Sequence, residues 1–233
     1  MAKKPVTSKE FTDAVCAMLK RLHPAMDVEA VVEELLRGHT SPRALPEMPV
    51  SQLAHLLPER TAELVHLIPG ITRSMSRNDY PLHPVLSTLS EASRFLQGLY
   101  LGLGYEHCYL LLLRKSGWLI QELMIQSGTV DSLPFYTRNI VEAVLAHEAD
   151  AVVLSHNHPS GTVTPSDADL SSTLALIDAL APLEVPLVDH LIIAGKCAVS
   201  MRADEWIEPA LWLEQPNHCP TLMKKWLNAP ARR

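Results

Sequence analysis

The residues whose types and spacing promise chemistry lie together: Ser155-His156-Asn157-His158-Pro159-Ser160-Gly161-Thr162-Val163-Thr164-Pro165-Ser166-Asp167-Ala168-Asp169. His156 and His158 stand two apart at the end of a strand-like apolar run, so an extended backbone points both imidazoles to one face. Two imidazoles on one face are a natural start to a zinc site. Pro159 ends the strand, Gly161 permits a turn, and Pro165 leads into a helix whose first turn holds Asp169. The loop can fold back and bring that carboxylate to the imidazoles as a third ligand. Three protein ligands leave the fourth tetrahedral position open, the mark of catalytic rather than structural zinc. Each part alone has a plainer explanation. Most H-x-H pairs are incidental, and Ser166-x-x-Asp169 also fits a helix capping box. What outweighs these is the whole spacing: H-x-H, seven residues, Ser, two residues, Asp. Water activated at zinc also needs a proton acceptor, so a general base must stand nearby.

The elements that must position these groups follow from periodicity. Residues 1–80 read as helices, with Phe11, Val15, Met18, Leu19 and Leu22 at helical spacing. An acidic first turn opens a second helix at Asp27, and it ends at Gly38. Pro42, Pro46 and Pro49 punctuate a connector, short helical patterns follow at 51–57 and 59–67, and the polar stretch 73–84 with two prolines reads as a linker. From Leu86 the texture changes. A helix with Phe95, Leu96, Leu99 and Leu103 on its apolar face precedes strand-like runs at 106–113 and 118–126, joined by a Lys115-Ser116-Gly117 turn. Helices at 136–148 and 166–180 alternate with strands at 151–156 and 185–194, and residues 197–201 pair back across Gly195-Lys196. Strands alternating with helices predict an α/β sandwich around a mixed sheet. The division is a helical N-terminal module (1–80), a central domain (86–207) and a tail (208–233) that is either docked or mobile.

At 233 residues with 47% apolar and 20% charged residues, the chain has the make-up of an ordinary globular protein, large enough to bury a core without a structural metal. No apolar stretch approaches the roughly 20 residues of a membrane helix. With no signal-peptide pattern, the cytoplasm is the expected compartment. Cys16, Cys108, Cys197 and Cys219 form no CxxC and give no reason to expect disulfides; Cys108 and Cys197, inside strand-like runs, are expected to be buried. The net charge is −6. Residues 1–85 carry 10 basic and 10 acidic side chains and residues 86–233 carry 10 and 16, so the overall field does not attract a phosphate backbone.

The spacing in the first paragraph is the JAMM (MPN+) signature. Together with Arg138-Asn139-Ile140-Val141-Glu142-Ala143, Leu154 through Gly161, Thr164 through Asp169 and Asp189-His190-Leu191-Ile192, it closely resembles the JAB domain of the RadC family. The resemblance covers about half the chain, residues 86–207. It implies a cytidine-deaminase-like JAB/MPN core, a mixed sheet flanked by helices, beside an all-helical accessory domain. It also implies one zinc per chain held by His156, His158 and Asp169. In JAMM enzymes a glutamate at the start of an early core strand is the general base, and Glu106 matches that position; Glu122, mid-strand in the second hairpin arm, is the competitor. Ser166 matches the serine that helps bind the substrate carbonyl as it becomes an oxyanion. His190 is either a partner orienting a ligand or a satisfied buried histidine. His66, His83, His107 and His147 lack partners at ligand spacing, and the His218-Cys219 pair has no second pair to complete a zinc site.

The function expected from this resemblance is zinc-dependent hydrolysis of an amide or isopeptide bond in a protein or peptide. The first alternative is a nucleic-acid-acting protein, because RadC proteins commonly begin with a helix-hairpin-helix-like region whose Gly-rich turn presents N–H groups to phosphate. Here Leu57-Pro58-Glu59-Arg60 stands where the hairpin glycines are expected, and Pro69-Gly70-Ile71 comes later with one glycine. The second alternative is a silent binding module that keeps the fold. No membrane partner is expected.

Overall fold

The computed structural model describes residues 8–39, 42–127, 133–213 and 219–228. Helices α1 (Ser8–Leu22), α2 (Val28–Leu35), α3 (Val50–Leu53) and α4 (Glu59–Arg77) pack with a 3₁₀ turn at Pro42–Glu47. Asp27 caps α2 by accepting the Ala30 N–H at 3.2 Å. Val15, Leu19, Val32, Leu45, Met48, Leu53 and Val65 form one apolar cluster between these elements. The stretch 73–84 is not the linker its composition predicts. α4 runs on through Pro69, which is buried and lies in ordinary van der Waals contact range of Gly102. Past the helix end, Arg77 donates to the carbonyls of Pro81 (3.0 Å) and Leu82 (2.8 Å), and Leu119 N–H donates to Pro84 O at 2.9 Å. The chain is therefore fastened to the central sheet. Gly70 lies inside α4, so its amide is not offered at a turn.

Thr88 caps α5 (Leu89–Leu99). Then come β1 (His107–Leu113), β2 (Leu119–Ser127), α6 (Leu133–Ala146), β3 (Ala151–Asn157), α7 (Asp167–Leu180), β4 (Leu187–Ala194) and β5 (Cys197–Ser200). The sheet order is β2-β1-β3-β4-β5. Only β3 and β4 are parallel, joined across α7 as a parallel pair requires a crossover. Alternation sorts the side chains of the sheet. Leu111, Leu113, Val153, Val188 and Ile193 pack with α5, while Leu110, Leu112, Val152, Leu154 and Ile192 pack with α6 and α7. The result is the predicted mixed sheet with helices on both faces.

The tail is docked. In α8 (Pro209–Leu213) and α9 (Pro220–Asn228), Trp212 and Trp226 are buried, and the Trp226 indole N–H donates to Asp189 Oδ2 at 2.9 Å. Each indole removes about 200 Å² from water. All four cysteines are free thiols. Cys108 is buried as expected, but Cys197 is exposed, because it opens the short edge strand β5 right after the Gly195-Lys196 turn. No helix among the described residues is long and apolar enough to cross a membrane.

Candidate metal centre

β3 delivers His156 to the α7 side of the sheet, where Val152 and Leu154 also point. The chain stays extended one residue past the strand, because His158 N–H donates to Ile193 O at 2.9 Å, and so His158 faces the same way. The loop then returns to Ser166, the N-cap of α7, and Asp169 sits in the first turn. Both halves of the capping box form: Ser166 Oγ accepts the Asp169 N–H at 3.2 Å, and Asp169 Oδ2 accepts the Ser166 N–H at 2.7 Å. The capping reading is met, and because the box uses Asp169 Oδ2 it does not conflict with a ligand role for Oδ1.

Three side chains converge. His156 Nε2 lies 2.9 Å from His158 Nε2 and 3.4 Å from Asp169 Oδ1, and His158 Nε2 lies 3.9 Å from Asp169 Oδ2. A zinc ion bound tetrahedrally at about 2.0–2.1 Å leaves ligand atoms about 3.3 Å apart. The three groups bracket that spacing, and among the described residues they are the one His/Cys/Asp/Glu group able to hold a metal. The donor set also fits. His158 Nδ1 lies 2.8 Å from the carbonyl of Thr162, which only accepts, so Nδ1 carries the proton and Nε2 offers its lone pair. Asp169 Oδ2 accepts both the N–H and the O–H of Ser166, each at 2.7 Å, and donors of this kind favour the ionised carboxylate. An ionised carboxylate and imidazole lone pairs are what a divalent cation binds.

His190 belongs to this cluster. It is buried, its Nε2 lies 2.8 Å from His156 Nδ1, and its Nδ1 lies 2.6 Å from Thr173 Oγ1. Burial, then the neighbouring His156, lowers its pKa well below the ordinary value, so it is neutral. Its neighbour Asp189 points to the other face, where it accepts from Ser200, Trp226 and the amides of His190 and Arg202; burial pushes its carboxyl up to about 6 despite these four donors.

Glu106 precedes β1. The Cα partner of Cys108 is His156, and Glu106 lies two residues before Cys108, immediately ahead of the strand. It is half-buried and makes no hydrogen bond or ion pair among the described residues. Its neighbours are held from two directions. Asn157 Oδ1 accepts the His107 N–H (2.7 Å) and Asn157 Nδ2 donates to Tyr105 O (2.9 Å). Glu47, from the helical N-terminal region, accepts the amides of Gly104 (2.6 Å) and Tyr105 (2.9 Å) and lies 3.5 Å from His107 Nε2. Glu122 is elsewhere. It pairs in register with Leu111, on the α5 side, and is half-buried against Arg77 at 3.2 Å rather than turned to solvent. Ser166 is at the site, but its hydroxyl proton is engaged by Asp169 Oδ2 at 2.7 Å.

Three of the other histidines have partners elsewhere. His66 bonds Met48 O, His83 bonds Leu119 O and lies against Trp118, and His107 faces Glu47. His218 lies outside the described residues, and the Cys219 thiol donates to Asp150 O at 3.4 Å. Sequence reasoning missed Thr173, Asn157 and Glu47. Thr173 had a signal, one helical turn after Asp169 on the same face; Glu47 had none.

A family model described as RadC-like JAB domain matches residues 86–206. A UPF0758 protein of Vibrio parahaemolyticus serotype O3:K6 is 39% identical over 102 residues, 44% of this chain and 46% of the relative. A UPF0758 protein of Janthinobacterium sp. (strain Marseille) is 37% identical over 146 residues, 63% and 65% of the two chains. A third, from Shewanella sp. (strain MR-4), is 31% identical over 183 residues, 78% of this chain and 81% of the relative. The match thus spans 46% and 65% of the first two relatives and most of the third. With its mixed sheet, His156–His158–Asp169 cluster and this family match, the chain belongs to the RadC family and carries its RadC-like JAB domain at residues 86–206.

Proposed function

We propose that this protein is a zinc-dependent hydrolase that cleaves an amide or isopeptide bond in a protein or peptide. The observation that carries the reading is the convergence of His156 Nε2, His158 Nε2 and Asp169 Oδ1, with ligand protonation set for a cation. When bound, zinc supplies Lewis acidity toward a carbonyl oxygen and lowers the pKa of coordinated water toward about 7. Glu106, two residues before the Cα partner of His156, takes the proton from the attacking water and returns it to the leaving amine. Ser166 lends its hydroxyl to the developing oxyanion, which requires the hydroxyl to turn away from Asp169.

Metal analysis of protein purified without chelator tests the metal part: about one zinc per chain is expected, and its absence overturns the reading. A panel of isopeptide-linked modifiers, peptides and nucleic acids tests the reaction. Chelator-sensitive cleavage of an amide bond supports it. Stoichiometric zinc with no cleavage of any substrate favours a binding module, and cleavage of nucleic acid alone replaces the substrate class.

A further inference from the structure

We propose that Thr173 and His190 are positioning residues that fix His156 as a metal ligand, by setting which of its nitrogens carries the proton and tying its ring to the helix of the third ligand. The inference rests on the metal reading above. It follows from the direction of a buried hydrogen-bond chain.

The chain ends at a group with one role. Thr173 Oγ1 lies 2.6 Å from the backbone carbonyl of Asp169, one helical turn earlier, and a carbonyl only accepts. The Thr173 proton is therefore spent there; the competing acceptor, Met201 Sδ, is weaker and lies at 3.6 Å. Thr173 must then accept from His190 Nδ1 at 2.6 Å, which places the His190 proton on Nδ1. His190 is buried with its two nitrogens facing Thr173 and His156 rather than a carboxylate, so the ring is uncharged with one N–H, and Nε2 holds a lone pair. At 2.8 Å from it, His156 Nδ1 is the donor. His156 Nε2 is left with a lone pair, directed at His158 and Asp169. One backbone carbonyl thus dictates the proton position on two imidazoles in series.

The chain also closes. It leaves Asp169 by its carbonyl, passes through Thr173, His190 and His156, and returns to the same residue where His156 Nε2 faces Asp169 Oδ1 at 3.4 Å. The ring spans α7, β4 and β3, so His156 cannot rotate or change tautomer without breaking a bond inside the core. His190 is placed for this by the parallel register, in which its Cα partner is Leu154, one step behind His156 on the same face. Thr173 and His190 are 0% and 2% exposed, so water does not substitute for either. Partners of this kind typically hold 10–100-fold of metal affinity.

The test compares zinc affinity, by competition with a chromogenic chelator, in the full chain and in Thr173→Val, Thr173→Ser and His190→Phe. Thr173→Val keeps the shape and removes the hydroxyl; its affinity is expected to fall about 10–100-fold, with a like loss in His190→Phe and recovery in Thr173→Ser. The visible spectrum of the cobalt-substituted proteins should change in Thr173→Val and His190→Phe and not in Thr173→Ser. Thermal melting of each apo protein monitors folding. If Thr173→Val does not fold, Thr173→Cys against Thr173→Ser makes the same comparison, since a thiol is a poor donor. Equal affinity in the hydroxyl-bearing and hydroxyl-free variants overturns the proposal. Absence of zinc binding in the unmodified chain overturns instead the metal reading on which it rests.

Discussion

Replacing Glu47 by alanine removes the carboxylate that the N-terminal helices press against the entrance of β1. The side chain is 10% exposed and accepts two backbone amides, Gly104 and Tyr105, with His107 alongside. Hydrogen bonds to a charged group contribute about 1.5–3 kcal/mol each, and the amides left behind have no obvious replacement acceptor. Two such bonds give an expected loss of about 3–6 kcal/mol, a large share of the stability of an average domain. Both amides bond the one oxygen, Oε2, so Glu47→Gln can keep both bonds through its carbonyl oxygen and loses the charge that strengthens them, and about 1–2 kcal/mol is expected. Urea unfolding of the metal-free proteins measures both, and hydrogen exchange at Gly104 and Tyr105 localises the effect. Zinc affinity should stay near that of the unmodified chain, because the ligands sit on β3 and α7. A loss below about 1 kcal/mol in Glu47→Ala, with both amides still protected, refutes the reasoning.

Glu106→Gln should keep zinc at full stoichiometry and lose about 10²–10⁴-fold in rate, whereas Glu122→Gln should leave the rate unchanged; full activity in Glu106→Gln removes the assignment. Asp169→Asn should lower zinc content and activity together, because it weakens an anionic ligand, and zinc and hydrolysis measured on one sample separate it from Glu106→Gln. His158→Ala should lower metal affinity by orders of magnitude while circular dichroism shows a folded chain, since the apolar clusters do not include the site; unfolding on mild chelation contradicts this. Asp189 has a folded pKa of about 6 against an ordinary 3.8, so between those values the folded chain holds a proton that the unfolded chain has released. Its contribution to stability is complete below about pH 3.8 and is lost as pH rises through about 6, by about 3 kcal/mol. The stability difference between the unmodified chain and Asp189→Asn should decline across that window, and a flat difference refutes it.

The metal cluster was readable because its determinants are local. His156, His158, Ser166 and Asp169 lie on one strand–loop–helix segment, and alternation plus a capping box place them without knowledge of the rest of the fold. The sheet was readable for a similar reason, since β-branched and leucine-rich runs alternate with helical patterns. What was not readable depends on partners distant in sequence. Nothing in Glu47 announces that it meets amides at 104 and 105, and nothing in Trp226 announces Asp189. The continuation of α4 was hidden by Pro69, which composition treats as a break but which lies inside the helix. Cys197 sits in a strand pattern that is real but belongs to an edge, where alternation does not mean burial.

The same separation between local and distant contacts orders the assembly of the site in time. Fewer than fifteen residues join His156 to Asp169, so bringing the ligands together closes a short loop at small entropic cost. The link through His190 waits for β3 and β4 to pair in parallel across α7, a contact of much longer range. If the cluster binds zinc as proposed, zinc added during refolding would meet three ligands before their support is in place, and the ion would become harder to remove as the sheet is completed.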